Sequence, residues 1–146
     1  MKVVLDTNVL FSALSNLSEY YPIWRELQLG RYELCVTTEI LNEYEEKLQE
    51  RFRPGVSENT MGFIMRSPDI IFVSNYFTWN FIIVDPDDNK FVDCAISANA
   101  DFIVSNDKHF RVLKEIPFPS VKVITAEDFV EILTGNRPVL MTKTKT

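Results

Sequence analysis

Glycine is scarce in this chain, with 4 in 146 residues, and there is no glycine-rich loop of the kind that cradles phosphates on backbone amides. Nucleotide-triphosphate and dinucleotide sites of that design are excluded. Cysteine is rarer still: Cys35 and Cys94 lie in apolar surroundings without CxxC spacing, so they are expected as buried, reduced thiols rather than a disulfide or a zinc site. The single histidine, His109, rules out a histidine-built zinc cluster and reads as a surface or helix-start residue. Positive charge is also in short supply. Against 21 Asp+Glu stand 15 Lys+Arg, for a formal charge of -6, the opposite of the basic footprint that holds nucleic acid by charge alone. Any nucleic-acid role must be arranged locally. Residues 1–5 are too short an apolar stretch for a signal peptide, and nothing later approaches the roughly 18 uninterrupted apolar residues of a membrane span. The expectation is a cytoplasmic protein without a membrane segment.

What remains is ordinary globular material, 46% hydrophobic and 25% charged, of a length suited to one domain. Residues 1–138 are read as that domain and 139–146 as a C-terminal tail, a candidate contact to a partner chain. Short β-branched runs alternate with longer helical patterns, the mark of βαβ units around a parallel sheet, so the fold class is α/β. Strands are expected at 2–5, 33–36, 70–74, 81–84, 102–105 and 121–124. Helices are expected near 9–16, 20–29, 38–52, 57–66, 88–99, 108–114 and 126–134, with Ser57 and Thr125 as N-caps and Gly30 and Gly135 as stops.

In an open parallel sheet, ligands bind beyond the carboxyl ends of the strands. Three of the apolar runs end in acid: Val3-Val4-Leu5 in Asp6, Phe81-Ile82-Ile83-Val84 in Asp85 with Asp87 and Asp88 behind it, and Phe102-Ile103-Val104-Ser105-Asn106 in Asp107. Singly, such an acid caps a helix and satisfies its dipole. Gathered on one rim, the carboxylates repel, and at neutral pH a hard cation is the natural resolution. Mg²⁺ bridges readily to phosphate oxygens, which lets an acidic protein hydrolyse a phosphodiester.

Rival motifs fail on the same residues. Asp85, Asp87 and Asn89 imitate the start of a calcium loop, but Lys90 and Ile96 occupy the places of its Gly and Glu. Asp6-Thr7-Asn8 lacks the second Asp of an aspartyl-phosphate phosphatase. Thr7 and Asn8 either cap the following helix or position the first carboxylate and its water. Lys90 and Lys108, each beside an acid, and Arg111 are candidate phosphate contacts. Tyr20, Tyr21, Trp24, Phe77 and Trp79 are candidates for stacking bases, with core packing as the alternative. Among Glu39, Glu43, Glu45, Glu46 and Glu50, placing Ile40, Leu41, Tyr44 and Leu48 inward puts Glu43 at the border of the buried face, with Glu46 and Glu50 outward.

These blocks together resemble the PIN-domain nucleases, in particular the VapC-like branch of toxins from bacterial toxin–antitoxin pairs. The resemblance rests on Val3 to Leu10, on Thr37-Thr38-Glu39-Ile40-Leu41-Asn42-Glu43-Tyr44, on Asp85-Pro86-Asp87-Asp88-Asn89-Lys90-Phe91 through Ala95, and on Ala100-Asp101-Phe102-Ile103-Val104-Ser105-Asn106-Asp107-Lys108-His109-Phe110. It implies a three-layer α/β sandwich with a mainly parallel sheet, an acidic pocket for Mg²⁺ or Mn²⁺, cleavage of RNA, a homodimer, and a cognate antitoxin. The family's acids fall on Asp6, Glu43, Asp88 and Asp107, as catalytic and metal-binding residues. Asp85 and Asp93 are candidates to take or share the role of Asp88, which the spacing to Asp107 favours. Ser105 stands where the family usually has Thr, and Asn106 precedes the last acid. Ser105 and Asn8 are additional site candidates, and Lys90 and Lys108 are substrate contacts. Two readings of another class stand beside this one: a catalytically silent module that binds RNA or protein and uses the acids as caps, and a receiver-like or phosphatase domain.

Overall fold

A computed structural model describes residues 1–74, 79–82, 86–115 and 121–135 of the chain. The run Val3-Val4-Leu5 forms β1 (Lys2–Leu5), with all three side chains fully buried. Burial on both faces is the condition of a central strand in a parallel sheet and explains why the run does not alternate with polar residues. β2 (Glu33–Val36), β3 (Ile70–Phe72), β4 (Phe102–Val104) and β5 (Val123–Ile124) complete a five-stranded sheet of order β3-β2-β1-β4-β5. Every pairing is parallel, with Val3, Val4 and Leu5 in register with Phe102, Ile103 and Val104. The chain lays β2 and β3 outward on one side of β1 and then returns to place β4 on the other. That reversal opens a crevice at the carboxyl ends of β1 and β4, where open α/β sheets hold their ligands.

Helices α1 (Thr7–Ser12), α2 (Tyr21–Gln28), α3 (Thr38–Arg51), α4 (Pro54–Arg66), α5 (Asn89–Ala98) and α6 (Ala126–Thr134) flank the sheet. α5 lies along β1, β2 and β4, α3 packs on α4 and α5, and α2 packs on α6. Tyr32 meets Phe129 edge to face at 5.0 Å, and Trp24 meets Phe63 at 5.3 Å. The Tyr44 hydroxyl, fully buried, donates to the Leu5 carbonyl at 2.6 Å and so ties α3 to the end of β1. Cys35 and Cys94 are buried free thiols, as expected; burial pushes Cys35 up to about 11 and Cys94 higher still.

The expected α/β architecture is present, with these departures. Phe81 and Ile82 form no strand, and residues 83–85 lie outside the described set. The backbone of Ile82 instead exchanges two 2.8 Å hydrogen bonds with the side-chain amide of Asn89, which satisfies it as a neighbouring strand would. Ser57 does not cap α4. The helix begins a turn earlier at Pro54, whose fixed φ suits a first helical position, and Ser57 is buried inside it. α1 starts directly at Thr7 and is over by Ser12. Lys108–Glu115 is a 3₁₀ helix rather than an α-helix. Thr125 does cap α6, accepting from the Asp128 amide at 3.0 Å, and Gly30 and Gly135 both take the positive φ of a helix stop. The boundary at 138 and the tail 139–146 lie outside the described residues.

Candidate functional site

β1 delivers Asp6 to the crevice. Its amide donates to the Val104 carbonyl at 3.1 Å, and its own carbonyl accepts from Val9 and Leu10 at 3.0 and 3.1 Å, so the residue is gripped by β4 on one side and α1 on the other. The side chain is nearly enclosed, 6% exposed. Ser105, at the end of β4, donates its hydroxyl to Asp6 Oδ2 at 2.8 Å and accepts from the Asp107 amide at 3.0 Å. One hydroxyl thereby joins two of the proposed acids. Burial raises the pKa of Asp6 above the ordinary value of 3.8; the Ser105 hydroxyl and the Asn8 backbone amide pull it down, and the charges of Asp107 and Glu43 push it up again.

Asp88 ends a short 3₁₀ turn (Pro86–Asp88) and stands at the N-cap of α5, buried. Facing it across the crevice is His109, in the first turn after Asp107. His109 Nδ1 lies 3.3 Å from Asp107 Oδ1 and 3.5 Å from Asp88 Oδ2, while the His109 amide donates to Asp107 Oδ1 at 2.9 Å. Ligand atoms of these three residues all fall within 4.8 Å of one another. His109 Nδ1 is shut off from solvent and meets no hydrogen-bond geometry, the condition of a nitrogen left for a ligand. Two carboxylates and an imidazole form a donor set that suits Mn²⁺ and other first-row divalent ions, and the carboxylates alone suit Mg²⁺. His109 is the residue that sequence reasoning missed. The available signal was its place two residues after Asp107, where its backbone amide can close a turn on the Asp107 carboxylate.

Glu43 sits on α3 at the edge of the buried face, with Glu46 and Glu50 exposed as expected. Its Oε2 accepts from the Thr7 hydroxyl, and its Oε1 lies 2.7 Å from Lys90 Nζ. Lys90 is therefore placed inside the protein, only 5% of its side chain exposed. Asn8 is exposed and accepts from Arg51 at 3.1 Å. Asp93 is buried further along α5, where its Oδ1 accepts from the Trp79 amide at 3.0 Å. Burial raises its pKa above 3.8, the Trp79 amide lowers it, and Glu39 raises it. Asp85 and Phe77 fall outside the described residues, as does the side chain of Arg111. Lys108 is exposed.

Asp6 and Asp107 open into a cleft of about 320 Å³ whose other walls are Asn8, Val9, Ser12, Tyr20 and Asn106, within the range of small-ligand sites, about 300–1,000 Å³. Asn106 is fixed there by accepting from the Ala126 amide at 2.9 Å. Of the aromatics proposed to stack bases, Tyr20 lines this cleft. Trp24 is buried against Phe63, and Trp79 leans on Phe81 at 5.7 Å.

Among solved structures, the VapBC2 complex of Rickettsia felis bound to a DNA fragment from its promoter matches 86% of this chain and 98% of its own, with a TM-score of 0.60 at 19% identity. The PIN domain of T. brucei RRP44 matches 95% of this chain and 84% of its own, with a TM-score of 0.50 at 11% identity. At such identities the likeness shows the fold. No curated protein matches the sequence. The PIN-domain family model, however, matches residues 2–109, from the first residue of β1 through Asp6, Glu43 and Asp88 to His109. The chain belongs to the PIN-domain family.

Proposed function

We propose that this protein is a divalent-metal-dependent endoribonuclease, the toxin of a toxin–antitoxin pair, in which Asp6, Glu43, Asp88 and Asp107 form the active site. The observation that carries this reading is the meeting of Asp88, Asp107 and His109 ligand atoms within 4.8 Å, with Asp107 tied through Ser105 to buried Asp6. Family membership supports it, since PIN domains are typically metal-dependent nucleases. The likeness to a VapBC2 complex supports the toxin assignment and a protein antitoxin.

Asp88, Asp107 and His109 would hold the ion, with Asp6 beside them. When bound, Mg²⁺ or Mn²⁺ supplies Lewis acidity toward a phosphodiester and lowers the pKa of water. The chain's own part is preorganisation. Ser105 locks the Asp6 carboxylate and the Asp107 backbone together, and Thr7 with Lys90 locks Glu43, so little reorganises when substrate arrives. Asn8 and Tyr20 form the wall along which a single strand would lie. Exposed Lys108 would meet a phosphate. Buried Lys90 serves Glu43 rather than RNA, and Asp93 serves the Trp79 amide. A second copy of the chain and the antitoxin both need apolar surface, and the groove of about 510 Å³ between α3 and α4, with Met65 and Phe72 exposed in it, offers one.

One observation favours the silent binding module: Glu43 is neutralised by a lysine. It concerns one acid of four. Asp88 and Asp107 face a histidine and Asp6 takes a serine hydroxyl, which leaves a ligand set in place. The test is cleavage of single-stranded RNA by purified protein. Activity should need Mg²⁺ or Mn²⁺ and vanish in excess chelator, and Asp6→Asn should lower it at least about 100-fold, about 2.7 kcal/mol of transition-state stabilisation. Expression of the wild type should slow bacterial growth, and Asp6→Asn should relieve this. Cleavage that persists in chelator would refute the metal reading, and a harmless, soluble, abundant wild type would refute the toxin reading.

A further inference from the structure

Lys90 is a buried cation held against one of the proposed acids, Glu43. It is the second residue of α5, two residues after Asp88, yet it turns inward. Its Nζ lies 2.7 Å from Glu43 Oε1, donates to the Asp87 carbonyl at 2.6 Å, and stands 5.1 Å from the centre of the Phe91 ring. A carboxylate, a carbonyl and an aromatic face make a fitted seat for an ammonium, because each presents negative potential and together they replace the water lost on burial. The other oxygen of Glu43 is occupied by the Thr7 hydroxyl. Both carboxylate oxygens are thus engaged by donors, and a fixed positive charge sits against one of them.

Two-metal phosphodiesterases place their ions about 3.5–4 Å apart and share carboxylates between them. Here the acids divide into two groups around Asp6, which feels both Asp107 and Glu43. The Asp107 side carries Asp88 and His109 and their converging ligand atoms, and the Glu43 side carries an ammonium. We propose that Lys90 is a resident cation that takes the place of a second metal, so that this pocket binds a single divalent ion, on the side of Asp88, Asp107 and His109. Lys90 is then a positioning residue: it holds Glu43 against Thr7 at all times, whatever the metal concentration, and repels any ion from that side. This inference rests on the metal-dependent reading above and deepens it.

The experiment counts Mn²⁺ bound by the full chain in the absence of RNA, by electron paramagnetic resonance titration. The wild type should bind one Mn²⁺ per chain. Lys90→Met, which keeps the bulk against Phe91 and removes the charge, should bind two, because Glu43 is left as an uncompensated carboxylate at the pocket edge. Lys90→Met combined with Glu43→Gln removes the pair together and should return to one. Two ions in the wild type overturn the proposal, as does a folded Lys90→Met that still binds one. Should Lys90→Met alone fail to fold, the wild-type count decides, with the double variant as the control. A wild type that binds no ion overturns the metal reading itself, an outcome distinct from two.

Discussion

Ser105→Ala is the sharpest probe of how the rim is wired, because a single oxygen serves both strands. In the native protein it donates to Asp6 Oδ2 at 2.8 Å and accepts from the Asp107 amide at 3.0 Å, and its residue is 3% exposed. The bond to the carboxylate is charge-assisted, about 1.5–3 kcal/mol, and the amide bond is neutral, about 0.5–1.5 kcal/mol. With Asp6 and Ser105 both enclosed, water is a poor substitute, and Ser105→Ala should destabilise the metal-free protein by about 2–4 kcal/mol at pH 7. That is a large part of a typical 5–15 kcal/mol stability. The cost should depend on pH in a definite sense. Native Asp6 holds its proton to a higher pH than the unfolded carboxyl at 3.8, so its ionisation costs stability as pH rises through the native value. The serine hydroxyl is the strongest influence lowering that value, and without it the value climbs further. The variant should therefore lose most above the native pKa and least below 3.8, where Asp6 is protonated folded and unfolded alike. Urea unfolding in chelator at pH 7 and near pH 4 measures both, with Ser105→Thr, which keeps the hydroxyl, expected within about 1 kcal/mol of the wild type. A loss under about 0.5 kcal/mol at pH 7, the size of an ordinary surface change, or a loss that does not shrink in acid, would refute the wiring.

Two further outcomes follow from particular contacts. Asp88→Asn should abolish Mn²⁺ binding measured by calorimetry, while Asp93→Asn should leave it intact, because the Asp93 carboxylate is spent on the Trp79 amide; the reverse pattern in folded proteins would reassign the third ligand. Tyr44→Phe should cost about 1–2 kcal/mol in urea unfolding, since the Leu5 carbonyl at 2.6 Å loses its buried hydroxyl donor, and an unchanged midpoint would show that this tie between α3 and β1 is not needed.

Local pattern and tertiary proximity contributed differently to what could be read from the chain. Val3-Val4-Leu5 and its strand at 2–5 were legible because a doubly buried parallel strand needs an unbroken apolar run, and Thr125 was legible because its cap bond closes three residues away. The expected strand fails at Phe81 and Ile82 because periodicity cannot see Asn89, whose side-chain amide takes the hydrogen bonds of Ile82. Ser57 misled because Pro54 offers an earlier start. Of the proposed acids, Asp6, Asp88 and Asp107 are legible from their places after apolar runs or at a helix start. Lys90 is misplaced, and the reach of His109, itself at a helix start as expected, is not legible, for one reason: each meets an acid of a distant segment. The partner of Lys90 is on α3, and His109 meets an acid from the start of α5. A lysine is exposed by default, and only the packing of α3 on α5 overrides that default.

The bond from Ser105 to Asp6 spans 99 residues of sequence, which bears on when a growing polypeptide acquires its pocket. Synthesis proceeds at about 5–20 residues per second, so Asp6 and Glu43 emerge seconds before β4 exists to pair with β1. Until then Asp6 has neither the Val104 carbonyl for its amide nor the Ser105 hydroxyl for its carboxylate, and Asp107 and His109 have not been made. A product truncated before β4 thus carries Asp6, Glu43 and Asp88 but lacks Asp107 and the Ser105 clamp. Topology thus sets the order of events: the complete set of acids first comes together only after most of the message has been read.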